Sequence, residues 1–271
     1  MPELPEVEST RRGLAQRLPG TVVTAMEIRE GRLRWPVARA MPEAVSGQAI
    51  DRVDRRAKYV LVGTSGGTLI IHLGMSGSLS LAGPAAPLHR HDHLIWHLST
   101  GDTLRFRDHR RFGAVLWTTE DPLAHPLLAR LGPEPLEPGF DGEWLHRRSR
   151  GRTAAVKAFL MDAATVAGVG NIYATESLHR AGIHPARAAG EIGPVRYRRL
   201  AAAIRAVLGD AVAAGGTTFR DYRNAQGEAG LFLGALLAYG RAGRPCHGCG
   251  VALRSRVIAQ RSTVFCPRCQ R

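Results

Sequence analysis

Between residues 6 and 18, Val7, Leu14 and Leu18 fall on one helical face while Arg11, Arg12 and Arg17 lie elsewhere, so the spacing predicts a short amphipathic helix. The period then changes. Segments 22–28, 59–62, 68–73, 93–98, 103–107 and 114–117 are short, β-branched or alternating in polarity, and bounded by Gly, Ser, Asp or Pro. That pattern predicts a sandwich-like antiparallel domain. A Pro- and Gly-rich stretch from Leu131 to Gly139 marks a hinge. Beyond it, 153–161, 172–180, 195–214 and 231–239 carry helical patterns. The expected class is α+β, an N-terminal antiparallel β-sandwich with a flanking helix, followed by a helical domain and a cysteine-bearing tail. The boundaries expected are 1–131, a linker at 132–143, 144–240 and 241–271. No internal repeat or low-complexity segment is present.

Composition narrows the partner. The chain has 271 residues, 44% of them hydrophobic, enough for two cores and a small appendage. Its longest apolar stretch, near 231–239, is far too short for a membrane span, and the acidic start lacks the basic and apolar regions of a signal peptide. A cytoplasmic, membrane-free monomer is expected. The net charge of +14 points to a polyanion, with nucleic acid the default, because neutralising phosphates releases counterions. Arg105, Arg107, Arg110 and Arg111 cluster in one segment, and Arg147, Arg148, Arg150 and Arg152 in another; both read as phosphate-facing surfaces. A DNA-sized cleft between the two domains is the natural geometry for this order.

Only two of the 37 basic residues are lysines, Lys58 and Lys157. Arginine serves at most phosphate contacts but cannot replace an amine that must lose a proton or a compact ammonium in a tight site. Each remaining lysine is therefore a functional candidate. The chain opens Met1-Pro2-Glu3-Leu4-Pro5-Glu6. Without the initiator Met, Pro2 is a secondary amine with a pKa near ~8, able to attack a carbon and give an iminium electron sink. The bland alternative is that Pro2 and Pro5 punctuate a helix start whose dipole favours Glu6 and Glu8. Cys246-His-Gly-Cys249 and Cys266-Pro-Arg-Cys269 account for all four cysteines. Two CxxC pairs at this spacing predict one structural, tetrahedral zinc in a β-hairpin ribbon, against the alternative of two disulfides.

The opening Pro-Glu, the lysine in Arg55-Arg-Ala-Lys58, Met75 in Leu73-Gly-Met-Ser-Gly77, Asp108-His-Arg-Arg-Phe-Gly113, Gly168-Val-Gly-Asn171 and the terminal zinc ribbon with Ala259-Gln-Arg261 recur in one order. Together they resemble the bacterial formamidopyrimidine-DNA glycosylases along the whole chain. The resemblance implies a helical domain of helix-two-turn-helix type and a bifunctional enzyme. Such an enzyme excises 8-oxoguanine and formamidopyrimidines from damaged duplex DNA, then cuts the strand by β- and δ-elimination.

By the same resemblance Pro2 is the nucleophile, Glu3 relays protons as the sugar ring opens, Lys58 is the proton donor for β-elimination and Arg261 serves δ-elimination. Met75, Arg110 and Phe112 match the residues that fill the void left by an extruded nucleotide. His91, Arg152 and Asn171 match DNA-backbone contacts, Asn171 at a helix N-terminus. Glu6, Lys157 and Arg220 are possible supports of the site. The chain departs from the family pattern at His109, where proline is usual, at Arg220, where lysine is usual, and at Leu231, where an aromatic is common. Gly215, Gly216, Gly227 and Gly230 would let this last region move.

Two rival readings remain. An endonuclease VIII-type glycosylase for oxidised pyrimidines fits less well with Leu4 and the Met75, Arg110, Phe112 set. A non-catalytic zinc-ribbon DNA-binding protein explains the charge and cysteines but leaves Pro2, Glu3 and Lys58 without a role.

Overall fold

The computed structural model describes residues 2–217 and 230–271; Arg220 and Gly227 lie outside the described residues. The chain divides into two compact units. The first takes the described residues of Met1–Ala129 and Ala214–Leu231, the second Arg130–Ala213 and Phe232–Arg271.

The first unit begins with helix α1 (Leu4–Ala15). It starts two residues before the amphipathic pattern does, because Glu3 and Glu6 form a reciprocal capping box that satisfies amides the helix cannot reach. Pro5 falls at the second helical position, where its missing N–H costs nothing. A one-turn helix, α2 (Met41–Val45), follows the first strand.

Among the described residues of this unit, eight strands build two antiparallel sheets. One has the order β1 (Val23–Ile28), β6 (Asp92–Leu98), β7 (Thr103–Arg107), β5 (Ser78–Ala82). The other runs β2 (Ile50–Arg56), β3 (Tyr59–Thr64), β4 (Gly67–His72), β8 (Ala114–Thr118). Both sheets and α1 contribute to one core: Val7 and Leu14 meet Val60, Val62 and Ile71 from one sheet and Leu94, Trp96 and Phe106 from the other. The large side chains among these stabilise the fold by roughly 1.5–3 kcal/mol each on burial. The expected sandwich is present.

Strands β2 and β5 were not expected from the pattern. Both are edge strands. In β2 only Ile50 and Val53 are buried, so the Ile-Asp-Arg-Val-Asp-Arg-Arg sequence reads as polar while its backbone pairs with β3 on one side.

The second unit contains α3 (Gly142–Ser149), α4 (Val156–Met161), α5 (Asn171–Ala181), α6 (Pro194–Ala213) and a hairpin of β9 (Arg254–Ile258) and β10 (Arg261–Phe265). Asp141 caps α3 by accepting the Trp144 N–H at 2.7 Å, and Gly182 ends α5 in the left-handed conformation. The helix expected over 231–239 is not formed. Only a single 3-10 turn, Phe232–Ala235, occurs there. The cause is Glu176 of α5, whose buried carboxylate accepts the consecutive amides of Leu237, Ala238 and Tyr239 at 2.7–2.9 Å. Three adjacent N–H groups converging on one anion form a nest, which is incompatible with a helical ladder. Among the described residues no helix is long and apolar enough to cross a membrane.

Candidate active site and metal centre

In the first unit the candidate nucleophile lies at the foot of α1. Pro2 and Glu3 are both buried. Glu6, itself only 2% exposed, accepts the Glu3 N–H on Oε2 and the Thr217 N–H on Oε1, each at 2.7 Å. The carboxylate therefore joins the N-terminal segment to the residue that precedes 218–229. The helix-dipole role expected of Glu6 omits this second bond, which no local pattern could reveal.

Lys58 occupies the two-residue turn between β2 and β3, partly exposed. Ala57 before it adopts a left-handed φ of 52°, a conformation rare for alanine. Arg55 holds this turn by donating Nη1–H to the Ala57 carbonyl at 3.0 Å and Nε–H to Glu8 at 3.1 Å. Glu8 also receives Arg11 and Arg12. Burial raises the Glu8 pKa, but the hydrogen bonds from Arg11 and Arg12 and the charges of Arg11 and Arg55 outweigh it and hold the carboxyl below its usual value. One ion-paired group thus anchors the lysine turn to α1.

Met75, Arg110 and Phe112 come together on two adjacent loops. Met75 is 37% and Phe112 46% exposed, and the Arg110 guanidinium lies 4.8 Å from the centre of the Phe112 ring. His72 accepts the Gly74 N–H on Nδ1 at 3.0 Å. Burial, with the nearby Lys58 and Arg34 charges, lowers the His72 pKa to about 4, so the accepting lone pair is retained at neutral pH.

Beside them a hollow of about 450 Å³ is lined by Arg29, Glu30, Arg90, His91, His93, His109 and Arg111. Asp92, between the histidines, accepts from Arg107 at 2.7 Å and from the His89 amide at 2.8 Å. Burial and then the Arg90 and His89 charges hold the pKa of His91 below the ordinary histidine value. The basic cluster expected at 105–111 is only half a surface. Arg105 is buried and donates to the Ala86 and Pro87 carbonyls, and Arg107 pairs with Asp92, leaving Arg110 and Arg111 exposed. Arg147, Arg148, Arg150 and Arg152 are all exposed.

In the second unit Asn171 opens α5, and its Nδ2–H donates to the Ser262 carbonyl at 3.3 Å. Lys157 is wholly buried and donates to the same carbonyl at 3.1 Å and to Thr263 Oγ1 at 2.6 Å. Thr263 in turn donates to the Arg261 carbonyl at 3.0 Å. Support from Lys157 thus reaches the exposed Arg261 through the hairpin backbone, because the ammonium is enclosed beneath β10. Arg261 follows a two-residue turn, Ala259 and Gln260, with φ of 47° and 58°.

The four cysteine sulfurs all lie within 4.8 Å of one another, with Cys249 and Cys266 at 3.5 Å and Cys246 and Cys269 at 4.0 Å. Tetrahedral zinc with ~2.3 Å bonds to sulfur sets such edges near ~3.8 Å, so the donor set fits one zinc ion. His179 Nε2 lies 3.6 Å from Cys246 Sγ, placed to donate to the thiolate. Among the described residues this is the one group of His, Cys, Asp or Glu side chains arranged to hold a metal; the histidines at 89–93 do not form another.

The chain matches, in order, the formamidopyrimidine-DNA glycosylase N-terminal domain over residues 1–115, the H2TH domain of the same enzymes over 131–223, and the zinc finger found in FPG and IleRS over 243–271. It belongs to the formamidopyrimidine-DNA glycosylase family. The formamidopyrimidine-DNA glycosylase of Alkalilimnicola ehrlichii is 59% identical, with both chains covered completely. The MutM (Fpg) protein of Thermus thermophilus is 39% identical, with a TM-score of 0.89 over 99% of this chain and 98% of that one. A Lactococcus lactis Fpg mutant in complex with Fapy-dG-containing DNA gives 0.93 at 32% identity, both chains fully covered. The chain is accordingly a base-excision repair glycosylase of this family, with one zinc-finger site formed by Cys246, Cys249, Cys266 and Cys269.

Within that frame, sequence reasoning missed Asp108, Glu8, Glu176 and His179. Asp108 had a signal, an Asp two residues before Arg110 in the position that starts an Asx turn. Glu8 had one too, Arg11 and Arg12 at helical spacing, although its bond to Arg55 spans 47 positions. Glu176 and His179 act over 61 and 67 positions and had none.

Proposed function

We propose that this glycosylase excises 8-oxoguanine and formamidopyrimidines from duplex DNA and cuts the resulting strand by β- and then δ-elimination, with the Pro2 amine as nucleophile. The observation that carries the reading is the fixing of Glu3, next to Pro2, by the buried Glu6 carboxylate; with the initiator Met removed, the Pro2 amine would then sit beside an anchored residue where free chain ends ordinarily fray.

The Pro2 nitrogen bonds to C1′ of the deoxyribose as the glycosidic bond breaks and the base leaves with a proton. Glu3 relays protons while the sugar ring opens, giving an iminium. Loss of a C2′ proton expels the 3′ phosphate with Lys58 as proton donor, and Arg261 serves the second elimination, which expels the 5′ phosphate. Met75, Arg110 and Phe112 occupy the space of the extruded nucleotide, Arg110 facing the orphaned base. His91, Arg152 and Asn171 contact the backbone. Zinc fixes the hairpin that carries Arg261 and takes no part in bond making. A cytoplasmic location accords with four thiols gathered at metal-binding distances.

Borohydride reduction of the enzyme on a duplex with 8-oxoguanine opposite cytosine tests the nucleophile. Peptide mapping is expected to place the DNA on Pro2. Adduct on Lys58 or Lys157 overturns the assignment.

A further inference from the structure

We propose that Asp108 is the positioning residue that joins the Met75 loop and the Arg110–Phe112 loop into one rigid insertion device. The inference rests on the reading of Met75, Arg110 and Phe112 as void fillers.

Asp108 is completely buried. Its Oδ1 accepts the Ser76 hydroxyl at 2.5 Å and the Arg110 N–H at 3.3 Å, and its Oδ2 accepts the Gly113 N–H at 2.8 Å. The Arg110 N–H also lies 3.2 Å from Ser76 Oγ. A single carboxylate therefore closes the loop from Arg110 to Gly113 and fastens it to the residue beside Met75. It suits the task because it offers acceptors alone, and every group facing it here is a donor.

The backbone reinforces this joint. Gly74 lies so close to the Phe112 carbonyl that any Cβ would collide with it, and its φ of 64° disfavours other residues in addition. Gly113 is packed against the Phe106 ring and the His72 carbonyl. Arg111, at φ 57°, turns the chain between Arg110 and Phe112. His93 Nε2–H donates to the Asp108 carbonyl at 2.7 Å, fixing the main chain from the other side.

The base of the two loops is thus buried and fully bonded, while the tips are large apolar side chains exposed to water. The faces of Met75 and Phe112 that remain exposed gain nothing from burial in the free protein. Held rigidly and side by side, they gain on entering an apolar slot the thickness of a base, without the ordering cost that flexible loops would carry. Independent loops would insert separately; loops sharing Asp108 insert together.

The experiment compares single-turnover excision of 8-oxoguanine paired with cytosine against strand cleavage at a preformed abasic site, since only the first requires a stacked base to be displaced. Asp108→Asn is expected to slow excision at least tenfold more than abasic cleavage. Ser76→Ala removes the link between loops but leaves the Arg110 and Gly113 bonds, and is expected to give a three- to fivefold selective loss at an unchanged Tm. It is also expected to cost less on a Met75→Ala background than alone. Equal losses on both substrates for Ser76→Ala, or full additivity with Met75→Ala, overturn the proposal even if Asp108→Asn fails to fold. Met75→Ala and Phe112→Ala are run beside them. If these too affect both substrates equally, the void-filler reading fails; if they are selective and the Ser76 and Asp108 variants are not, only the role of Asp108 fails.

Discussion

The turn that carries Lys58 and the helix that carries Lys157 show two ways in which a chain of 35 arginines keeps a lysine. Lys58 is partly exposed on a turn braced from behind by Arg55 and Glu8. Lys157 is enclosed, donating to Ser262 and Thr263 under the zinc hairpin. Arginine would be disfavoured in the two places for different reasons. On the proposed mechanism the first needs an amine able to exchange its proton. The second encloses the ammonium completely, where a compact donor is favoured over a planar fork. Residue scarcity locates a constrained position, and burial then tells what the constraint is.

The comparison breaks most directly through chemistry. Lys58→Arg is expected to lower the single-turnover cleavage rate at least a hundredfold, a loss of about 3 kcal/mol in the transition state, with the DNA dissociation constant within threefold of wild type. A cleavage rate within twofold of the parent would show that Lys58 needs only charge.

Lys157→Met should behave oppositely. It leaves the Ser262 carbonyl and Thr263 hydroxyl short of a buried donor, so we expect roughly 2 kcal/mol lower stability in urea and faster zinc release to a chelator. At saturating DNA the attack step should stay within threefold. An unchanged denaturation midpoint with a hundredfold slower attack would put Lys157 in the same class as Lys58.

The smallest expected effect is on acid stability. The folded His72 pKa of about 4 lies below the unfolded value near ~6.5, so its contribution is complete above that range and is lost as pH falls toward 4. Between pH 7 and 5 this amounts to roughly 1–2 kcal/mol. Glu8, held low, keeps its contribution down to about its unfolded value and loses it only in stronger acid. His72→Gln should flatten the slope between pH 7 and 5. Because the Lys58 charge helps to depress His72, Lys58→Gln should shrink the slope as well, and Lys157→Gln should not. Identical slopes in all three would remove His72 as the source.

The sequence made the interior strands readable because they are short β-branched or apolar-rich runs between turn residues, buried along almost their whole length, as in Tyr59–Thr64 and Thr103–Arg107. Edge strands escaped, since Ile50–Arg56 needs only two apolar positions to pair with one neighbour. The apolar run at 231–239 misled for a related reason: its amides are taken by Glu176, about sixty residues away in sequence, and no local pattern records that. In the same way Arg105 looked like a phosphate contact, although a buried guanidinium satisfied by carbonyls leaves the same letter in the sequence as an exposed one. The four cysteines were legible because their chemistry is carried by residue type and short spacing, whereas Met75, Arg110 and Phe112 stood out only through the family resemblance. Asp108 was visible only as part of a motif, its work lying in bonds to Ser76 across 32 positions.

At the tip of the zinc hairpin, Ala259 and Gln260 both adopt left-handed backbone angles, which cost each of these residues about 1–2 kcal/mol relative to ordinary conformations. A two-residue turn of this handedness is favoured by Asn-Gly, and this one has neither residue. The ribbon therefore holds this bend at a cost that the metal site and Lys157 help to offset. On the role proposed for Arg261, whose reach is set far from its own side chain, loss of the ion is expected to be felt first as a change in which strand-cutting product accumulates, before any loss of the fold as a whole.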